Sequence, residues 1–119
     1  MGLTVTSTNH GEVMVLALEG ELDIYTVGAF RQESEKIDPG AAQVVVDLTD
    51  VTLLDSSGLG ALVSLLNRAR AADGLLGIVC PQRHLRRVFE ITGLRRAFVF
   101  GDDLDGVRAA LAEAETSAA

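Results

Sequence analysis

Apolar and polar residues alternate from Leu3 to Thr8, the period of a half-buried strand. Asn9-His10-Gly11 signals a turn, and Val13 to Leu18 is an unbroken apolar run, so the two segments predict a hairpin. Gly20-Glu21-Leu22-Asp23 breaks the second strand. Val27, Phe30 and Ile37 then mark a helix over Thr26 to Ile37, which Asp38-Pro39-Gly40 ends. Val44-Val45-Val46, closing on Asp47-Leu48, reads as a strand buried on both faces.

A second helix starts near Ser56. Its Leu59, Leu62, Val63 and Leu66 fall at i, i+3, i+4 and i+7, and Asp73-Gly74 stops it. Leu75 to Cys80 is a further buried strand. Pro81 stands where a first helical position tolerates proline, and Leu85, Val88 and Phe89 form a helical face that Gly93 ends. Ala97 to Phe100 is a short last strand. Asp102 or Asp103 caps a final helix with Leu104, Val107 and Leu111 on its face, and residues 114–119 read as a flexible tail.

The order is ββαβαβαβα, which sets the fold class as α/β. Strands that alternate with helices pair in parallel through crossovers, while the opening hairpin adds an antiparallel pair. The expectation is a single domain over residues 1–119, a mixed sheet of four or five strands covered by about four helices. No internal repeat, linker or low-complexity segment interrupts it.

Composition narrows the function. Aromatic residues are 4% of the chain, so the core is aliphatic, and the lone Cys80 permits no internal disulfide. No apolar run approaches the roughly 20 residues that span a bilayer. The first ten residues lack a basic stretch followed by an apolar one, so a cytoplasmic protein is expected. The net charge of −7 is uneven: residues 1–60 hold ten carboxylates against Arg31 and Lys36. Such a surface is repelled by phosphate backbones and suits a protein partner with a basic face, not nucleic acid.

The chemistry concentrates in Asp55-Ser56-Ser57-Gly58-Leu59-Gly60, where a strand passes into a helix. Asp and Ser are preferred helix caps, so plain capping is the simplest role. A regulatory phosphoacceptor is compatible with it. Phosphate adds about −1.5 to −2 charges, and a helix N-terminus tolerates an anion, so phosphorylation would alter a docking surface without unfolding the domain.

Other chemistries lack their signatures. G-x-S-x-G is absent, and neither His10 nor His84 has a spacing that pairs it with Ser56. Gly58-Leu59-Gly60 fails the dinucleotide pattern because Val63 occupies the third glycine position, and no phosphate-binding loop with Gly-Lys-Ser/Thr occurs. No His/Cys/carboxylate cluster has metal-ligand spacing, so neither metal nor cofactor is expected. Arg83, Arg86, Arg87, Arg95 and Arg96 read as a solvated helix face, and Cys80 as a small buried hydrophobe.

Three segments in this order carry a resemblance: Gly20-Glu21-Leu22-Asp23 with Thr26, Val44 to Leu48 leading to Asp55 through Gly60, and Val88-Phe89-Glu90-Ile91-Thr92-Gly93-Leu94. Together they resemble the STAS domain family, and within it the bacterial anti-sigma factor antagonists. The resemblance implies a binding protein without enzymatic activity. Unphosphorylated, it would bind an anti-sigma factor, a serine kinase of the GHKL type, and free a sigma factor. The kinase would phosphorylate Ser56, with Ser57 the secondary acceptor, and a serine phosphatase would reset it. Asp55 would shape the loop, and Glu21, Asp23, Asp55, Ser57, Gly58 and Leu59 would form the docking surface. The alternative is a non-switching STAS scaffold or ligand-binding subunit of a transport or stressosome-like complex, with Ser56 as a cap only.

Overall fold

The computed structural model describes residues 2–118, with side chains as far as Glu115. Its elements run β1 (Leu3–His10), β2 (Val13–Leu22), α1 (Val27–Glu35), β3 (Gln43–Leu54), α2 (Ser56–Ala71), β4 (Leu76–Val79), α3 (Arg83–Ile91), β5 (Val99–Gly101) and α4 (Leu104–Ala118). The strands lie side by side in chain order in one five-stranded sheet. β1 is antiparallel to β2, and every later pair is parallel. The expected order and mixed sheet are both present.

Topology decides which helix covers which face. Strands β2 to β5 advance across the sheet in one direction. Crossovers of a single, right-handed sense then put all three connecting helices on one side. Phe30 of α1, Leu62 and Leu65 of α2, and Leu85 and Phe89 of α3 accordingly share one large cluster with Leu16, Leu18, Val46 and Ile78 of the strands. α4 follows the last strand and is free of that constraint. It closes part of the opposite face, where Val107 and Leu111 pack on Val13, Val15, Val45 and Val79. A fully buried aliphatic side chain contributes about 1.5–3 kcal/mol, so the large cluster dominates the stability.

Several boundaries differ from the sequence reading. β2 continues to Leu22, so Gly20, Glu21 and Leu22 belong to the strand, which passes through register shifts near Ala17 and Gly20. β3 continues six residues past Leu48 to Leu54, because it keeps pairing with β2 after β4 has ended. Pro81 precedes α3, whose N-cap is the extended residue Gln82. The last strand is Val99–Gly101, two residues later than its expected start. Leu65 joins the buried stripe of α2, whereas Val63 is only half-buried. α4 remains helical to Ala118, and Ala119 lies outside the described residues.

Two arginines act inside the structure. Arg68 of α2 donates to the carbonyls of Ser34 at 2.8 Å and Ile37 at 2.6 Å, satisfying orphan acceptors at the C-terminal end of α1. Arg86 corrects the reading of a solvated basic face. It donates to the Cys80 carbonyl at 2.6 Å and to Asp102 at 2.8 Å. Arg95 sets its guanidinium 5.3 Å from the centre of the Phe100 ring, over an edge-to-face cluster with Phe89 and Phe98. Of the five, Arg83, Arg87, Arg95 and Arg96 are exposed.

Cys80 is fully buried, and burial lifts its thiol from 9.0 to about 11, partly offset by the Arg86 guanidinium. The folded chain holds this proton more tightly than the unfolded one. The associated stability is complete below pH 9.0 and is lost as pH rises toward about 11. Urea titrations across this window should show a fall in unfolding free energy that Cys80→Ala lessens. Arg68→Ala should lower the unfolding free energy by about 1.5–3 kcal/mol, read as a lower urea midpoint at unchanged slope, because two helix-end carbonyls lose a charged donor.

Candidate functional site

The long β3 delivers Asp55 to the start of α2. Asp55 is extended, with φ −105° and ψ −175°, the conformation of an N-cap. One carboxylate oxygen accepts the Gly58 N–H at 3.0 Å, three residues on. The other accepts the Ile24 N–H at 3.1 Å, from the loop between β2 and α1. The Asp55 N–H in turn donates to the Leu22 carbonyl at 3.3 Å. One side chain therefore starts the helix and fastens the neighbouring loop to it.

Gly58 makes that approach possible. A Cβ there would sit 2.8 Å from both the carbonyl oxygen and Cγ of Leu22, and 2.8 Å from Leu54 Cδ1. The absence of a side chain lets α2 seat directly on the end of β2. Leu59 follows it into the core at 6% exposure. Gly58 and Leu59, expected on the docking surface, are thus both buried, and they set the position of the corner. Their place on a surface is corrected, because the first turn of α2 packs its inner face on Leu22 and Leu54.

Ser56 occupies the opposite, outer side of that turn and is exposed. Asp55 already fills the cap position, so the Ser56 hydroxyl is not needed there. It forms no hydrogen bond among the described residues. Ser57 is half-buried. Ser56 is the first residue of α2, at the positive end of the helix dipole, a setting that accepts negative charge.

The loop beside it is internally bonded. One Asp23 oxygen accepts the N–H groups of Tyr25 at 2.9 Å and Thr26 at 3.1 Å. The Thr26 hydroxyl donates to the Glu21 carbonyl at 2.6 Å and accepts the Asp23 N–H at 3.0 Å. Asp23 thereby shapes the turn, while Glu21, at the end of β2, keeps its carboxylate at the half-exposed surface. The turn turns two apolar side chains outward: Ile24 is 65% exposed and Tyr25 is 92% exposed. Neither residue was assigned a role from the sequence. The readable signal is a pair of large apolar residues between two turn-forming polar ones, where burial is sterically excluded.

Gln82 was also missed. Its side-chain amide donates to the carbonyls of Leu48 at 2.7 Å, Thr49 at 2.9 Å and Val51 at 2.9 Å. These carbonyls lie on the edge of β3 that β4 no longer covers. His84 Nε2 lies 3.4 Å from the Thr52 carbonyl, and His10 Nε2 lies 3.3 Å from the Thr8 hydroxyl. Neither histidine bonds Ser56, so the serine has no paired base. Among the described residues no group of His, Cys, Asp and Glu could hold a metal ion, and no helix is long and apolar enough to cross a membrane.

Comparison with known proteins agrees with this architecture. The family described as "Mlab, STAS domain" matches residues 5–101. The chain belongs to the STAS domain family. An anti-sigma-B factor antagonist of Staphylococcus epidermidis is 32% identical over 96 residues, spanning 80% of this chain and 89% of that protein. The crystal structure of an anti-sigma factor antagonist from Mycobacterium paratuberculosis superposes with a TM-score of 0.83 at 28% identity, covering 92% of this chain and 94% of its own. The phosphorylated form of the Bacillus cell fate determinant SpoIIAA shares the fold, with a TM-score of 0.69 at 22% identity over 89% of this chain and 98% of its own.

Within this STAS domain, the strand-to-helix corner depends on the missing Cβ at Gly58. Gly58→Ala should destabilise the protein by about 1–3 kcal/mol through overpacking. The Ile24 backbone N–H signal of this variant should shift in an amide NMR spectrum, as its bond to Asp55 lengthens.

Proposed function

We propose that this STAS protein is an anti-sigma factor antagonist whose docking surface is centred on the Ser56 corner and switched by phosphorylation of Ser56. The observation that carries the reading is the exposed, unbonded Ser56 hydroxyl beside a carboxylate that already caps the helix. A hydroxyl with no structural duty can gain a phosphoryl group without loss of stability. Ile24, Tyr25 and Leu53 are exposed at this end of the sheet, and they supply apolar area for an interface. Glu21 and the other carboxylates of the first half favour a partner with a basic face.

The partner in this reading is an anti-sigma factor that is also a serine kinase of the GHKL type. Transfer of the γ-phosphoryl group from ATP forms a bond to Ser56 Oγ. The hydroxyl proton is lost and ADP leaves. The product carries about −1.5 to −2 charges next to the Asp55 carboxylate. An interface closing over Tyr25 and Ile24 would have to dehydrate that dianion, so the complex separates while the core stays in place. A serine phosphatase hydrolyses the ester and restores binding. The protein itself performs no catalysis. Ser57, half-buried and one step further into the helix, is the secondary acceptor.

Titration calorimetry against the kinase partner tests the switch. Ser56→Ala should bind within a few-fold of the native protein and take up no phosphate. Ser56→Asp should keep its thermal midpoint yet bind at least about tenfold more weakly, about 1.4 kcal/mol. Equal binding by Ser56→Asp, with no phosphate on Ser56 in cellular protein, would instead assign a non-switching STAS scaffold.

A further inference from the structure

β1 is one edge of the sheet, and it lacks the features that normally keep edges from pairing. Exposed edges are blunted by charge, proline, bulges or brevity. β5, at the other edge, has three residues and is flanked by Arg95, Arg96, Asp102 and Asp103. β1 has eight residues, Leu-Thr-Val-Thr-Ser-Thr-Asn-His, with no proline, no carboxylate, lysine or arginine, and an unbroken register against β2.

The register shows which backbone groups are free. Gly11 and Glu12 alone connect β1 to β2, and Gly11 takes φ +69° at the first turn position. Such a two-residue hairpin makes the flanking His10 and Val13 a hydrogen-bonded pair. At the other end of the strand the Gly2 carbonyl accepts the Glu21 N–H at 3.3 Å, in the same phase. Thr4, Thr6 and Thr8 therefore bond inward to β2, and the peptide groups of Leu3, Val5, Ser7 and Asn9 point outward from the sheet.

We infer that β1 is the seam of a two-fold symmetric dimer, in which the β1 strands of two copies pair antiparallel to make a continuous ten-stranded sheet. The strand is its own complement. Centring the axis on Thr6 sets Leu3 opposite Asn9, Val5 opposite Ser7 and Thr4 opposite Thr8, and it brings all the outward peptide groups into hydrogen-bonded pairs. Each chain carries a net charge of −7, yet no like charges of the strand meet across this axis. Threonine pairs across strands are favourable. β5 offers no equivalent length, so the assembly closes at two copies. The seam is narrow, and the dimer is weak, with a micromolar dissociation constant. Both Ser56 corners lie at the ends of β3 strands, two strands away from the seam, and stay open.

Cysteine crosslinking in the full chain tests the register, because native Cys80 is buried and silent. Across the axis two Thr6 residues form a non-hydrogen-bonded pair with Cα atoms about 4.5 Å apart, within disulfide range. Two Thr8 residues would stand about 13 Å apart, beyond it. Thr6→Cys should become a covalent dimer under mild oxidation, and Thr8→Cys should crosslink at least about tenfold more slowly. Sedimentation should show the native chain dimerising in the micromolar range. Ser7→Pro removes an outward N–H and the exposed hydroxyl that donates to Met14 Sδ at 3.2 Å, and leaves the backbone ladder to β2 intact, so it should sediment as a monomer with a thermal midpoint within a few degrees of the native one. Equal crosslinking of the two cysteine variants, or a native chain that stays monomeric into the millimolar range, would overturn the inference.

Discussion

The Asp55 carboxylate holds two backbone donors that are far apart in sequence, the N–H of Gly58 and the N–H of Ile24. A carboxylate bonded to a helix-start N–H gains charge assistance and favourable interaction with the dipole. Because the same group also reaches the β2–α1 loop, the helix start and the loop form one rigid corner. Everything on that corner inherits its position from these two hydrogen bonds: the outward Ser56, the apolar Ile24 and Tyr25, and the last residues of β2, Glu21 and Leu22. The arrangement separates duties. Asp55 caps, Gly58 and Leu59 seat the helix in the core, and Ser56 carries no structural load.

That separation suits a reversible covalent switch. A hydroxyl used as a cap would cost about 1 kcal/mol of helix stability when modified or replaced. At Ser56, under the proposed switch, modification would change hydration and charge at the surface alone. The scale of the surface effect is larger, since dehydrating a dianion in an interface outweighs the gain from a few apolar contacts. Under the proposed switch the fold would stay constant while binding changes.

The sheet supports the corner asymmetrically. One face is filled by three crossover helices, and the other only by α4 over Val13, Val15, Val45 and Val79. β4 ends at Val79, and the exposed edge of β3 beyond it is satisfied by the Gln82 amide. Buried or half-buried strand carbonyls need such a donor once a neighbour has left. This stitching lets β3 run on to Asp55. The site is thereby tied to α3, on the far side of α2 from the loop that holds Ile24.

The sequence by itself determined the element order, the aliphatic core and the serine-bearing corner. Periodicity reports burial through local spacing, and Asp followed by small residues at a strand–helix junction encodes a cap locally. Four facts belong to the tertiary structure. The length of β3, the inward seating of Gly58 and Leu59, the work of Gln82, and the exposure of Ile24 and Tyr25 each depend on a contact partner more than thirty residues away or on a neighbouring element's end. Leu59 obeys the same apolar spacing whether its helix turn faces a partner or the core. Only the approach of Leu22 and Leu54 to Gly58 decides that it faces the core. Spacing along a chain specifies which residues share a face, and packing between elements specifies what that face meets.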